Sequence, residues 1–274
     1  IEVPGDKSIS QRALILGSMS IGNTMIKGIS YSDDIKNLIK NLRLLGVKIV
    51  KKNNVTFVPG VGVGGLSPTK KDLYMGNSGT ATRLMLGILC NQDFKIRILG
   101  DKSLNNRNMH ELIKPLRKMG AKINSKNNKL PIIIKGFNET MPIIYDQKIP
   151  SAQIKSAILI ASLNSPGLTT IIENTPTRNH TEILLRKIGA KIQIKKLKKK
   201  KIIKITGQKE LKAKNISIAG DPSAASIIGS AALITPESEI KIMKVNINKT
   251  RTTFFNILKK MNARINISNK KRIS

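Results

Sequence analysis

Four segments of this chain end alike, and that regularity restricts the fold more than any other feature. They read Leu44-Leu45-Gly46-Val47-Lys48-Ile49, Lys118-Met119-Gly120-Ala121-Lys122-Ile123, Lys187-Ile188-Gly189-Ala190-Lys191-Ile192 and Lys260-Met261-Asn262-Ala263-Arg264-Ile265. The third residues of these segments are 74, 69 and 73 positions apart. Self-similarity at a nearly fixed period marks duplicated units. Apolar residues at helical spacing lie before each ending, such as Leu112, Ile113, Leu116 and Met119, so each ending closes an amphipathic helix. A glycine there suits a helix C-cap, which needs a positive φ, and asparagine is the usual second choice. A β-like run precedes each helix, at 24–29, 94–99, 169–172 and 239–245, and an alternating strand is expected after it. A second helix opens each unit near Ser8, Ser78, Ser151 and Pro222, at intervals of 70, 73 and 71 residues. The expected unit is therefore helix, strand, helix, strand, with further strand material before the next copy. Helices alternating with strands place the fold in the α/β (α+β) group.

With 274 residues and 40% hydrophobic content, the chain can bury a large core and divide into more than one domain. No apolar run approaches the roughly 20 residues needed to cross a bilayer. The net charge of +33 comes from lysines spread over every segment. Aromatics are only 3% and tryptophan is absent, so platforms for stacking bases are scarce. The charge reads as a lysine-rich surface, and neither a nucleic-acid nor a membrane partner is expected. The densest run, Lys195-Lys196-Leu197-Lys198-Lys199-Lys200-Lys201, lies between two β-like stretches and reads as an exposed hairpin tip. The single cysteine, Cys90, allows no disulfide within the chain, which fits a reducing compartment such as the cytoplasm. It ends an apolar stretch and reads as a buried small hydrophobe. His110 and His180 lack the companions and spacing of metal ligands, so no metal or other cofactor is expected.

The helix starts carry the chemistry. Pro4-Gly5-Asp6-Lys7-Ser8-Ile9-Ser10-Gln11-Arg12 places a lysine, two hydroxyls and an arginine around the start of an apolar helix. A helix N-terminus offers unpaired N–H groups and partial positive charge, and arginine forks onto oxyanions. Ser8 or Ser10 is the expected cap of this helix, as Ser78 and Ser151 are of theirs. Such equipment suits a small phosphorylated or carboxylated molecule.

Five blocks in order identify a resemblance to the 5-enolpyruvylshikimate-3-phosphate synthase family. They are Val3 to Ser10 with Arg12; Gly76-Asn77-Ser78-Gly79-Thr80 with Arg83; Gly100-Asp101-Lys102-Ser103-Leu104 with Arg107; Ser151-Ala152-Gln153-Ile154-Lys155-Ser156-Ala157; and Thr177-Arg178-Asn179-His180-Thr181-Glu182. Gly220-Asp221-Pro222-Ser223 and Asn248-Lys249-Thr250-Arg251-Thr252 extend the likeness over the whole chain. The resemblance implies two lobes of three units each, with the active site in the cleft between them. On that comparison 7–219 form one complete lobe, and 1–6 with 220–274 form part of the other. The chain then reads as a fragment, about two thirds of an enzyme.

The reaction so implied joins shikimate 3-phosphate to phosphoenolpyruvate and releases phosphate. Lys7 is expected to touch both substrates, and Ser8 and Arg12 to hold the shikimate ring and its carboxylate. Asn77, Gly79 and Thr80 would wall the phosphoenolpyruvate site, and Arg107 would clamp its phosphate. Ser151, Ala152 and Gln153 would take the 3-phosphate, with Gln153 bridging toward phosphoenolpyruvate, and Arg178 would reach shikimate 3-phosphate. Gly79 would leave room beside phosphoenolpyruvate, which implies sensitivity to glyphosate. The catalytic Asp and Glu of the family are expected in the lacking segment, so no turnover is expected of this chain alone. The enzyme is expected to act as a monomer. Plainer readings stand beside these: Arg83 can equally be structural, Arg178 can pair with Glu182 four residues on, and His180 can be a cap. Asn108, Asn179 and Lys249 depart from the family's Pro, Asp and Pro. The rival enzyme is the related transferase acting on UDP-N-acetylglucosamine, which carries a reactive cysteine in an exposed loop. The remaining alternative is a truncated gene product without activity.

Overall fold

The computed structural model describes residues 1–198 and 200–270. The first unit contains α1 (Lys7–Ser18), β1 (Ile21–Lys27), α2 (Asp33–Leu44), β2 (Val50–Lys52) and β3 (Val55–Val61). The second contains β4 (Leu73–Tyr74), α3 (Gly79–Leu89), β5 (Lys95–Leu99), α4 (Lys102–Asn105), α5 (His110–Lys118), β6 (Lys122–Ser125) and β7 (Ile132–Lys135). The third contains β8 (Ile144–Gln147), α6 (Ala152–Ala161), β9 (Leu168–Glu173), α7 (His180–Lys187), β10 (Lys191–Lys196) and β11 (Lys201–Thr206). Beyond it lie β12 (Ile216–Ser217), α8 (Pro222–Ile234) and α9 (Thr253–Lys260). The expected helix ends hold: φ is 92°, 104° and 96° at Gly46, Gly120 and Gly189, and 64° at Asn262.

Three four-stranded sheets of the same plan form among the described residues, in the orders β12-β1-β3-β2, β4-β5-β7-β6 and β8-β9-β11-β10. In each, a short edge strand pairs in parallel with the next strand, and the other neighbours are antiparallel. The edge strand of the first sheet, β12, comes from beyond the third unit. That pairing closes the three units into a ring.

α1, α3 and α6 form the centre. They are buried around nearly their whole circumference, whereas α2, α5 and α7 bury one face each. That is the division expected of helices that are apolar all round and helices that are amphipathic. Leu14, Ile15 and Leu16 are fully buried, and each such side chain contributes about 1.5–3 kcal/mol of transfer free energy. The contact between α3 and α6 is backbone to backbone, since a Cβ added at Gly87 would stand 2.5 Å from the Ala157 carbonyl oxygen. A glycine closes the last strand of each unit for a similar reason. A Cβ at Gly60, Gly136 or Gly207 would lie 1.9, 2.3 or 2.3 Å from a carbonyl oxygen at or just beyond the end of the central helix of its unit.

Two expectations need correction. The fourth unit forms no strand over 239–245 or after Asn262; it makes only single bridges, Glu2 to Met243 and Gly220 to Val245. A strand needs a partner, and no hairpin like β2–β3 comes after α9 among the described residues. The lysine run is a β-hairpin, with Lys196 opposite Lys201, but Lys201 is buried, not exposed. Lys199 lies outside the described residues.

Candidate functional site

The N-termini of α1, α3 and α6 meet at one cavity of about 290 Å³, lined by Lys7, Asp34, Asn77, Gly79, Thr80, Arg107 and Gln153. Local chemistry fixes each helix start. Asp6, fully buried, caps α1 by accepting from the Ile9 N–H at 3.0 Å. The expectation of a cap by Ser8 or Ser10 is therefore wrong: both lie inside the helix, and Ser10 Oγ donates to the Asp6 carbonyl oxygen. Ser78 caps α3 at the Ala81 N–H and accepts from Gln11 Nε2 at 2.7 Å. Ser151 caps α6 at the Ile154 N–H. Asp101 caps α4, and its other oxygen accepts from Asn77 Nδ2 at 2.9 Å.

The polar groups around the cavity hold one another. Gln153 donates to Thr80 Oγ1 at 2.8 Å and accepts from Arg83 Nη1 at 2.9 Å. Arg107 Nη2 donates to Asn77 Oδ1. Lys7 Nζ lies 2.9 Å from Asp34, the one acidic residue of the lining. The electrostatics favour anions. The first turns of α1, α3, α4 and α6 contain no acidic residue, while α2, α5 and α7 open with Asp33 and Asp34, Glu111, and Glu182. The N-termini of α3 and α6 thus present partial positive charge with no acid beside it, next to Lys7 and Arg107, whereas that of α1 is met by Asp6 and Asp221. Burial, aided by Arg107, lowers the pKa of the Arg83 guanidinium.

Six predicted residues therefore share the cavity: Lys7, Asn77, Gly79, Thr80, Arg107 and Gln153. Ser8, Arg12, Ser151, Ala152 and Arg178 are not among its lining. Arg12 is buried, donating from Nε to Thr181 Oγ1 at 2.7 Å, from Nη1 to the Ser8 carbonyl at 2.8 Å and from Nη2 to Ser156 Oγ at 3.2 Å. Burial brings its pKa down to about 10, against the support of Asp6 and Glu182. Arg178 is exposed on the loop before α7. Burial of part of its side chain and the neighbouring Arg251 lower its pKa.

The alternative pairing of Arg178 with Glu182 is not made. Glu182 instead bonds Lys155 and Lys201, at 2.8 and 2.7 Å. His180 is the first residue of α7, not its cap, and is buried with Nε2 3.4 Å from Asn246 Nδ2. Burial pushes its pKa down to about 4. Asn179 accepts from Asn248 Nδ2 at 2.8 Å, and Asn108 accepts from the His110 N–H at 2.7 Å, so both departures from the family pattern have local partners. Cys90 is fully buried at the end of α3, and burial pushes its thiol pKa up, away from any nucleophilic role. That removes the observation on which the UDP-N-acetylglucosamine alternative would rest. Among the described residues no group of three His, Cys, Asp or Glu is placed to hold a metal ion, and no helix is long and apolar enough to cross a membrane.

Asp34 and the buried Lys155, Glu173, Glu182 and Lys201 were missed by sequence reasoning. Asp34 had one usable signal, its place in the first turn of the helix beside the Lys7 segment. Of the buried charges, Lys155 and Glu182 stood in the quoted blocks and Lys201 in the lysine-rich run, but nothing there marked them as partners.

A closed ring of three α/β units, with its inner helix ends around one cationic cavity, is the class of fold these residues define. Comparison with known proteins gives the family. The sequence model of the EPSP synthase (3-phosphoshikimate 1-carboxyvinyltransferase) family matches residues 1–274, and the chain belongs to that family. The 3-phosphoshikimate 1-carboxyvinyltransferases of Parvibaculum lavamentivorans and Leuconostoc citreum are 41% and 42% identical to it, over 99% and 98% of this chain. An EPSP synthase from Acinetobacter baumannii superposes with a TM-score of 0.88 at 38% identity over 99% of this chain. The chain spans 61%, 62% and 61% of the lengths of these three proteins.

Proposed function

We propose that this chain supplies the substrate-binding lobe of an enzyme that transfers the enolpyruvyl group of phosphoenolpyruvate to the 5-hydroxyl of shikimate 3-phosphate. The hydroxyl oxygen adds to C2 of the enolpyruvate as it gives up its proton, and the methylene takes one to become a methyl group. Phosphate then leaves as that methyl group gives up a proton. The observation that carries this reading is the convergence of three helix N-termini, two of them free of acids, with Lys7 and Arg107 on one cavity. Both substrates bear phosphate and carboxylate, and fixed donors aimed at such groups stabilise charge that builds up in the transition state. Holding the pair in register supplies much of the remaining acceleration.

In this reading Lys7 contacts both substrates, and Asn77, Gly79, Thr80 and Arg107 hold phosphoenolpyruvate. Ser151, Ala152 and Gln153 hold the 3-phosphate at the start of α6, and Arg178 approaches it from the loop before α7. Ser8 and Arg12 take the ring and its carboxylate. Arg12 donates three hydrogen bonds to the protein, and a guanidinium has five donors, so two remain for a ligand. Residues 7–219 form the lobe, and 1–6 with 220–274 belong to a second one. The enzyme is a monomer of the cytoplasm. General acid–base work falls to groups outside this chain, since Asp34 is committed to Lys7.

Calorimetric titration tests the reading. Shikimate 3-phosphate binds weakly, with an affinity that falls as salt is added, and no phosphate appears when phosphoenolpyruvate is supplied too. Absence of binding at millimolar ligand would refute the site. Release of phosphate by the purified chain would refute the assignment of acid–base work elsewhere.

A further inference from the structure

Four charged side chains from four different elements meet in the interior of the third unit. Lys155 of α6, Glu173 of β9, Glu182 of α7 and Lys201 of β11 form a neutral quartet, and the side chains of the first three are at most 1% exposed. Lys155 Nζ has three donors and three acceptors: Glu173 Oε1 at 2.9 Å, Glu182 Oε1 at 2.8 Å and the Arg178 carbonyl oxygen at 2.9 Å. Glu173 Oε1 also accepts from the Thr177 N–H at 3.2 Å and from Thr177 Oγ1 at 2.5 Å. Lys201 closes the ring, 3.2 Å from Glu173 Oε2 and 2.7 Å from Glu182 Oε1.

Ion pairs this deep are seldom the most stable filling for a core, because removing two charges from water costs about as much as their attraction returns. Beyond filling space, this quartet holds backbone. Its bonds outside the four side chains go to Thr177 and Arg178, consecutive residues of the loop between β9 and α7. The loop lacks regular structure there, and the Arg178 side chain extends from it to solvent.

We infer that Lys155, Glu173, Glu182 and Lys201 are positioning residues that fix the loop carrying Arg178, and so aim its guanidinium at the phosphate of the substrate. This rests on the reading of Arg178 as a ligand of shikimate 3-phosphate. Lys201 reaches the quartet from the turn end of the lysine-rich hairpin, opposite Lys196, so that hairpin takes part in the site from behind.

The test replaces Lys155 by methionine, a chain of similar volume without the charge, in the 274-residue protein. Lys155→Met/Glu182→Gln is made alongside and keeps the interior neutral should the single variant fail to fold. Hydrogen exchange at the Thr177 amide is the direct readout. Exchange faster there, with the protection of all three sheets unchanged, is expected; unchanged exchange at Thr177 overturns the inference. Affinity for shikimate 3-phosphate is measured for Lys155→Met, Arg178→Ala and the two combined. A misplaced ligand group weakens binding on the order of 10- to 100-fold. Each single variant is expected to show such a loss, and the combination little more than either. Wild-type affinity in folded Lys155→Met, or losses that simply multiply, overturns the inference. If Arg178→Ala alone leaves affinity unchanged, the ligand role of Arg178 fails, and the exchange at Thr177 alone decides whether the quartet fixes the loop.

Discussion

Replacing Gly79 by alanine isolates what the arginines at the cavity do. Gly79 opens α3 without a positive φ, so the backbone accepts any residue. The added methyl would stand 2.8 Å from Arg83 Nη1 and 2.9 Å from Arg107 Nη1, whereas ordinary contact begins at 3.4 Å. Each guanidinium must retreat by roughly half an ångström, and both are ends of flexible chains. The retreat strains the bonds of Arg83 to Gln153 and of Arg107 to Asn77. Hydrogen bonds to a charged group contribute about 1.5–3 kcal/mol when buried, and exposure here reduces that to about 1–2 kcal/mol. A loss of about 1.4 kcal/mol is tenfold in affinity. Calorimetry of Gly79→Ala is therefore expected to show phosphoenolpyruvate bound about tenfold more weakly, with the melting temperature within about 3 °C of wild type. In the complete enzyme, glyphosate is expected to inhibit less. Unchanged affinity for phosphoenolpyruvate together with unchanged inhibition would refute the reasoning. A large fall in melting temperature would show that the backbone, not the arginines, takes up the clash.

Gly136→Ala meets the carbonyl oxygens of Leu89 and Cys90, which cannot swing away, and is expected to lower stability by more than about 2 kcal/mol in chemical denaturation; an unchanged midpoint would contradict the close packing. Cys90 is expected to resist thiol reagents until the protein unfolds, and labelling at the rate of a free thiol would contradict its burial. His180 stays neutral in the fold down to about pH 4, whereas the unfolded chain takes up its proton near pH 6.5. Stability is therefore expected to fall by about 3 kcal/mol as pH drops through that window, and the loss should vanish in His180→Gln. The same slope in the variant would sink that account. Glu182, whose pKa burial raises but Lys155 and Lys201 together hold below normal, loses its contribution only at still lower pH.

The repeat was legible because each unit obeys the same local rules. Periodicity, a C-cap with positive φ and a strand after it needed no tertiary information, and the helix starts at 7, 79, 152 and 222 agree with them. The three strand-closing glycines were equally repetitive, 76 and 71 residues apart, and the same register would have found them. The readings that failed depended on distant partners. Asp6 caps α1 although two serines were nearer the expected start, because the helix begins one residue before Ser8. The strand expected over 239–245 had the right composition but makes only single bridges, to Glu2 and Gly220. Lys201 looked like the five other lysines of the run. Only Glu173 and Glu182, brought close by β9 and α7, distinguish it.

The helix ends at the cavity have a signature of their own that composition hides. In each of the first three units the two principal helices differ in the residues just after the cap. The outer helix places Asp33 and Asp34, Glu111 or Glu182 in its first turn, and its own dipole is satisfied internally. The inner helix has a capping Asp or Ser and then no acid at all. Stability alone would favour an acid at all six starts, since each contributes about 0.3–1 kcal/mol at such a position. Its omission leaves α3 and α6 with a serine cap and no acid at their starts, whereas the start of α1 is held by Asp6 and Asp221. The fold brings those three starts to one cavity.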